Sequence, residues 1–171
     1  RSQFYALARF ISRCRETYTL EELPVAGAHD VGYHSSCLVN YSTMPCWHGC
    51  LGGISTVGIQ SDGRIKPCLS MGEQFVEGSV RDPGLVETWR DPARFTRNRL
   101  FSTDKLEGGC SGCEHGHTCR AGCPDLAHNV TGSGFDNPYC LHRIEQEGVD
   151  RTLSLWTIDP DEGEPGSQEG P

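Results

Sequence analysis

Apolar residues are scarce in this chain of 171 amino acids, at 36% of the composition, and aromatics make up only 8%. A large hydrophobic core is therefore excluded, and something else has to hold the loops that 21 glycines and 10 prolines create. No apolar run approaches the roughly 18 residues of a membrane span, so a membrane partner is not expected. An excess of basic charge is also missing. The formal net charge is −8, and five of those charges come from Asp159, Asp161, Glu162, Glu164 and Glu169, which have no basic residue among them. Removing these five from −8 leaves −3, a balance that argues against a nucleic-acid partner. The chain opens on Arg1 rather than Met, as a fragment or a processed product does.

Cysteine, by contrast, is abundant, with 10 residues. Such a count also suits a disulfide-rich secreted protein, but no signal peptide opens the chain. Cys110 and Cys113 are better placed as adjacent ligands than as halves of separate bridges, so cytoplasmic residence is expected. Seven of the cysteines form one ordered series. Cys50 is followed by twelve residues, Gly63, four residues and Cys68; then come Cys110-x2-Cys113-x5-Cys119-x3-Cys123, and finally Cys140. Thiolates are soft ligands that select zinc, copper(I) or iron–sulfur clusters, and short intervals let one loop wrap one centre. Seven ligands exceed one four-coordinate centre and nearly suffice for two.

Hydrophobic periodicity at Phe4, Leu7, Ala8 and Ile11 predicts an amphipathic packing helix over residues 3–17. Pro24 to His34 has loop character. β-Branched residues between Ile54 and Gln60, a turn at Asp62-Gly63 and a return over Arg64 to Lys66 predict a β-hairpin whose open end brings Cys50 and Cys68 together. Asp82-Pro83 and Asp91-Pro92 each predict a helix start, the second helix running towards Phe101. Glu107 to Cys119 holds five glycines or serines, which suits a loop turning around sulfur atoms. Helices are expected at 123–129 and 140–147, and a disordered acidic tail from Asp159. Trp89 reads as core and Cys14 as a small buried hydrophobe. His115 and His117, between Cys113 and Cys119, allow a mixed Cys/His zinc site, but with better-spaced cysteines nearby they are expected to face solvent or to hydrogen-bond near sulfur.

The seven-cysteine series resembles the SPASM domain, the carboxy-terminal auxiliary-cluster domain of radical S-adenosylmethionine enzymes that modify peptides and proteins. Ile59 to Cys68, Phe75 to Val80 leading to Leu85 through Trp89, and Asn137 to Cys140 add to the likeness, which extends from about Cys46 to Arg143. The resemblance implies an α+β fold: a small, loop-rich domain with a β-hairpin and short helices around two [4Fe–4S] clusters. It divides the chain into a linker helix and loop at 1–36, leading from a catalytic barrel that is missing here, the cluster domain at 37–150 and the acidic tail at 151–171.

By the same resemblance the ligands interleave. Cys110, Cys113, Cys119 and Cys140 would hold the second cluster, and Cys50, Cys68 and Cys123 the first. Cys46, four residues before Cys50, is the candidate fourth ligand of the first; Cys37 and His48 are weaker ones. In a complete enzyme a third [4Fe–4S] cluster would cleave S-adenosylmethionine to an adenosyl radical, which abstracts hydrogen from the substrate. This chain has no C-x3-C-x2-C loop for that step, since position 53 is Gly, and is not expected to be catalytic alone. Its share would be electron transfer or substrate positioning during maturation of a ribosomal peptide or of a sulfatase-type protein. The implied partners are the peptide or protein substrate, a radical S-adenosylmethionine catalytic domain in the same or a separate chain, and a reductant protein. Two other readings stay open: a free-standing cluster-carrying subunit that presents a peptide, and a structural zinc protein using the same cysteines.

Overall fold

A computed structural model describes residues 1–27, 34–36, 38 and 49–148. Cys37, Cys46, His48 and the acidic tail at 151–171 lie outside the described residues. Short helices and one small antiparallel sheet make the fold α+β.

Helix α1, Ser2–Thr17, buries Ala8, Ile11 and Cys14 on one face. Cys14 thus packs as the small hydrophobe expected. Leu7 is exposed, because the buried stripe runs through positions 4, 8 and 11 and leaves residue 7 at its edge. The stripe meets Leu38 and Leu141 in an apolar cluster edged by Phe4, Tyr5, Phe10 and Val25, with Phe4 edge-on to Tyr139 at 5.8 Å. Ion pairing reinforces the contact: Arg1 meets Glu147 at 2.6 Å, and Glu147 accepts from Arg143 at 2.7 Å.

The expected hairpin is present. Strands β1, Gly58–Ile59, and β2, Arg64–Lys66, pair antiparallel with Gly58 opposite Lys66. Its turn is closed by Asp62, whose Oδ1 accepts from the Arg64 amide at 3.0 Å, and by Gly63 at φ 90°. The first arm is shorter than 54–60, because the amides of Ile54 and Ser55 turn back to the Leu51 carbonyl instead of joining the ladder. A third strand, β3 (Gly78–Ser79), pairs with β2. A Cβ on Gly78 would stand 2.4 Å from Thr88 Oγ1, so only glycine lets the next helix lie against this strand.

That helix, α2, is Leu85–Arg90. It starts later than Asp82-Pro83 predicts, because Gly84 at φ 107° separates the proline from the first turn. It buries Thr88, while Leu85 and Val86 stay exposed. Asp91-Pro92 does not open a long helix either. Asp91 Oδ1 and its carbonyl accept from Ala93 and Arg94 in a turn, Phe95 is left-handed at φ 55°, and α3 is only Thr96–Arg99. Phe95 is buried, with Trp89 tilted against it at 5.7 Å, so Trp89 serves packing as expected.

Helices α4 (Gly116–Cys119), α5 (Pro124–Thr131) and α6 (Leu141–Glu147) are the last elements among the described residues. Cys123 and Cys140 are the residues immediately before α5 and α6, so helix packing at Ala127, Leu141 and Ile144 fixes where both sulfurs start. No helix among the described residues is long and apolar enough to cross a membrane.

Candidate metal centre

Four of the eight expected ligands surround a single cavity of about 380 Å³: Cys110, Cys113, Cys119 and Cys140. They reach it from separate elements. Cys110 ends a 3-10 turn, Gly108–Cys110; Cys113 closes the next turn, its amide donating to the Cys110 carbonyl at 3.2 Å; Cys119 ends α4 and Cys140 precedes α6. The loop is pinned from the far side by Asp136, which accepts from the Gly109 amide at 3.0 Å and from Arg143 at 3.3 Å.

These sulfurs are close enough to perturb one another. Burial pushes the Cys110 thiol up to about 11, with Cys140 and Cys113 among the neighbours adding to the rise. Burial raises Cys119 further, and Cys140, Cys110 and Cys113 again contribute. Cys140 is raised by burial too, against the pull of the His142 and Arg143 amides. Burial favours the protonated thiol at Cys110, Cys119 and Cys140 unless a cation replaces the protons, and backbone donors already point at the sulfur atoms: Asn137 N–H at 3.4 Å from Cys110 Sγ and Gly122 N–H at Cys119. This donor set fits an iron–sulfur cluster, whose sulfurs take such amide bonds.

Cys123 follows Cys119 by four residues yet belongs to other surroundings. It lies within electrostatic reach of Cys50. Cys50 is itself raised by burial, opposed by its hydrogen bonds from Gly52 N–H, at 3.4 Å, and the Asn98 side chain. Cys68 is carried to the same side by the hairpin: a Cβ on Gly52 would stand 3.0 Å from Pro67, so the two arms run in contact one residue from Cys68. The Cys68 sulfur lies 3.1 Å from Ser70 Oγ. Cys46 falls outside the described residues. No disulfide joins the eight described cysteines.

Asn98 and His142, beside the sulfurs, carry no signal in the sequence, whereas His115 and His117 do. Asn98 is buried and donates both to Cys50 and to the Gly52 carbonyl, at 2.7 Å for the latter. His115 is partly covered rather than facing solvent, stacked on His34 at 3.7 Å and edge-on to His142 at 4.6 Å. Burial, then the other histidines, hold His34 and His115 below the usual imidazole range. His117 stays outside this group, its Nε2 3.0 Å from Thr118 Oγ1.

Residues 50–114 match the family model of SPASM, described as an iron–sulfur cluster-binding domain. Over 96 residues, 56% of this chain, the sequence is 32% identical to an AdoMet-dependent heme synthase of Methanosarcina barkeri (strain Fusaro / DSM 804). The chain spans only 26% of that protein's length. With Cys110 and Cys113 of the matched stretch lining a sulfur-rich cavity on a small α+β scaffold, residues 50–114 are identified as a SPASM iron–sulfur cluster-binding domain.

Proposed function

We propose that the chain holds two auxiliary [4Fe–4S] clusters for a radical S-adenosylmethionine enzyme that modifies a peptide or protein in the cytoplasm. Cys110, Cys113, Cys119 and Cys140 hold the second cluster; Cys50, Cys68, Cys123 and Cys46 hold the first. The observation that carries this reading is the divergence of two near neighbours, Cys119 towards Cys140 and Cys123 towards Cys50. A single local site built from the C-x2-C-x5-C-x3-C run leaves Cys140 and Cys50 without a role.

Bound there, the clusters supply one-electron transfer at potentials set by burial and by hydrogen bonds to sulfur. The chain's own residues fix the sulfur positions, partly bury Cys119 and Cys140, and aim amide donors at them. Residues 1–36 link this domain to the catalytic barrel, which supplies S-adenosylmethionine and its own [4Fe–4S] cluster; a reductant protein feeds electrons in. Anaerobically reconstituted protein is expected to contain about eight irons and eight sulfides per chain. About four irons in folded protein, or stoichiometric zinc in native material, contradicts the proposal.

The related heme synthase favours a second reading, in which the substrate is a heme precursor instead of a peptide. Cleavage of S-adenosylmethionine by the complete enzyme, stimulated by a porphyrin or by a peptide, separates the two.

A further inference from the structure

One group of side chains at the rim of the second sulfur cavity is used by neither cluster. Glu114 Oε1 lies 3.9 Å from His115 Nε2 and 3.9 Å from His142 Nε2, and the ligand atoms of all three lie within 4.8 Å of one another. His34 stacks flat on His115, at 3.7 Å and 9°. Its Nε2 is buried and has no hydrogen-bond partner, an imidazole nitrogen held out of water with nothing to satisfy it. His34 is kept there by its own chain neighbours: Ser35 Oγ and the Ser36 amide donate to Glu145 of α6 at 2.7 and 2.9 Å. Three segments far apart in sequence therefore converge on one spot, the strap at 34–36, the loop before α4, and α6.

We infer that Glu114, His115 and His142 form a site for one divalent transition-metal ion, separate from the iron–sulfur centres, with His34 as a flanking imidazole. Two borderline imidazoles with one carboxylate suit zinc and its first-row neighbours, whereas the cysteines next to them suit iron–sulfur clusters. A tetrahedral zinc with bonds of about 2 Å sets ligand atoms about 3.3 Å apart, so the site closes by about 0.5–1.5 Å from the separations of 3.9 Å and up to 4.8 Å. Glu114, whose side chain is 72% exposed, adjusts its own two distances, and side-chain rotation of His115 and His142 closes the gap between the imidazoles. Three protein ligands leave a fourth position for water or for an anionic group entering the cavity. The ion also ties α6 to the ligand loop, against which His34 of the strap is stacked.

The test uses the full chain with its iron and sulfide reconstituted, dialysed anaerobically against zinc chloride. Zinc and iron are then counted, and the zinc X-ray absorption edge is recorded. One zinc per chain with iron unchanged, and a scattering shell of nitrogen and oxygen at about 2.0–2.1 Å, is the expected result. Glu114→Gln, at an exposed position that folding does not need, weakens zinc retention roughly tenfold, and His142→Ala weakens it further. Where a histidine variant loses iron, the Glu114→Gln result decides. No retained zinc, or Glu114→Gln retaining zinc as well as the parent, overturns the inference while leaving the iron–sulfur reading intact. Zinc on sulfur at about 2.3 Å with iron displaced overturns both.

Discussion

At the scale of single residues, burial decides what the sulfur atoms can do. In protein without iron, Cys110 keeps its proton to about 11, whereas a cysteine in the unfolded chain loses it near 8.5. Between those values the unfolded state binds fewer protons, so folding stability of the apo protein is fully present below about pH 8.5 and falls as pH rises towards 11. Denaturant titrations of apo protein across that window are expected to show the fall, and a flat profile contradicts the burial of these thiols. Cluster-loaded protein is expected not to show it, because its sulfurs are already deprotonated. Asn98 acts at the same scale. Asn98→Ala removes donors to Cys50 and to the Gly52 carbonyl and leaves a buried acceptor unpaired, a loss of about 1–3 kcal/mol. Its distinguishing effect is expected in redox titration: the potential of the centre that includes Cys50 shifts and the other does not. The cysteines were legible as a ligand series because their order and spacing are written along the chain itself. Asn98 and His142 were not legible, because each acts on a residue 27 or more positions away and belongs to no local pattern: Asn98 on Gly52, 46 positions off, and His142 beside His115.

At the scale of elements, glycine and local turns limit what periodicity can tell. The hairpin was readable because Asp62-Gly63 is a strong turn signal between β-branched arms, and α1 because its apolar stripe, Phe4, Leu7, Ala8 and Ile11, repeats over about two turns. The two Asp-Pro starts misled for a physical reason: Gly84 and left-handed Phe95 each break the chain direction before the helix begins. β3 passed unnoticed as a strand because its two residues, Gly and Ser, have little strand propensity and are held by pairing with β2. Gly78→Ala is expected to force Thr88 aside and to cost about 1–3 kcal/mol, measurable by thermal unfolding of loaded protein. A stability unchanged from the parent contradicts the close approach of α2 to β3. Little apolar material lies between residues 102 and 140, so chelation of iron is expected to raise amide exchange there well before the hairpin at 54–67 opens. Equal protection of that loop with and without iron contradicts the view that metal holds it.

At the scale of the whole molecule, the proposed assignment makes the chain a scaffold in which two ligand sets are threaded through each other. On that assignment the four-residue step from Cys119 to Cys123 would set the distance from one cluster to the other. The central claim is that interleaving, and the most direct measurement compares four alanine variants by iron content and low-temperature paramagnetic resonance of the reduced protein. Cys123→Ala is expected to match Cys68→Ala, both altering the centre that includes Cys50. Cys119→Ala is expected to match Cys140→Ala, both altering the other. A grouping in which Cys119→Ala and Cys123→Ala behave alike while Cys140→Ala leaves both signals untouched contradicts the account.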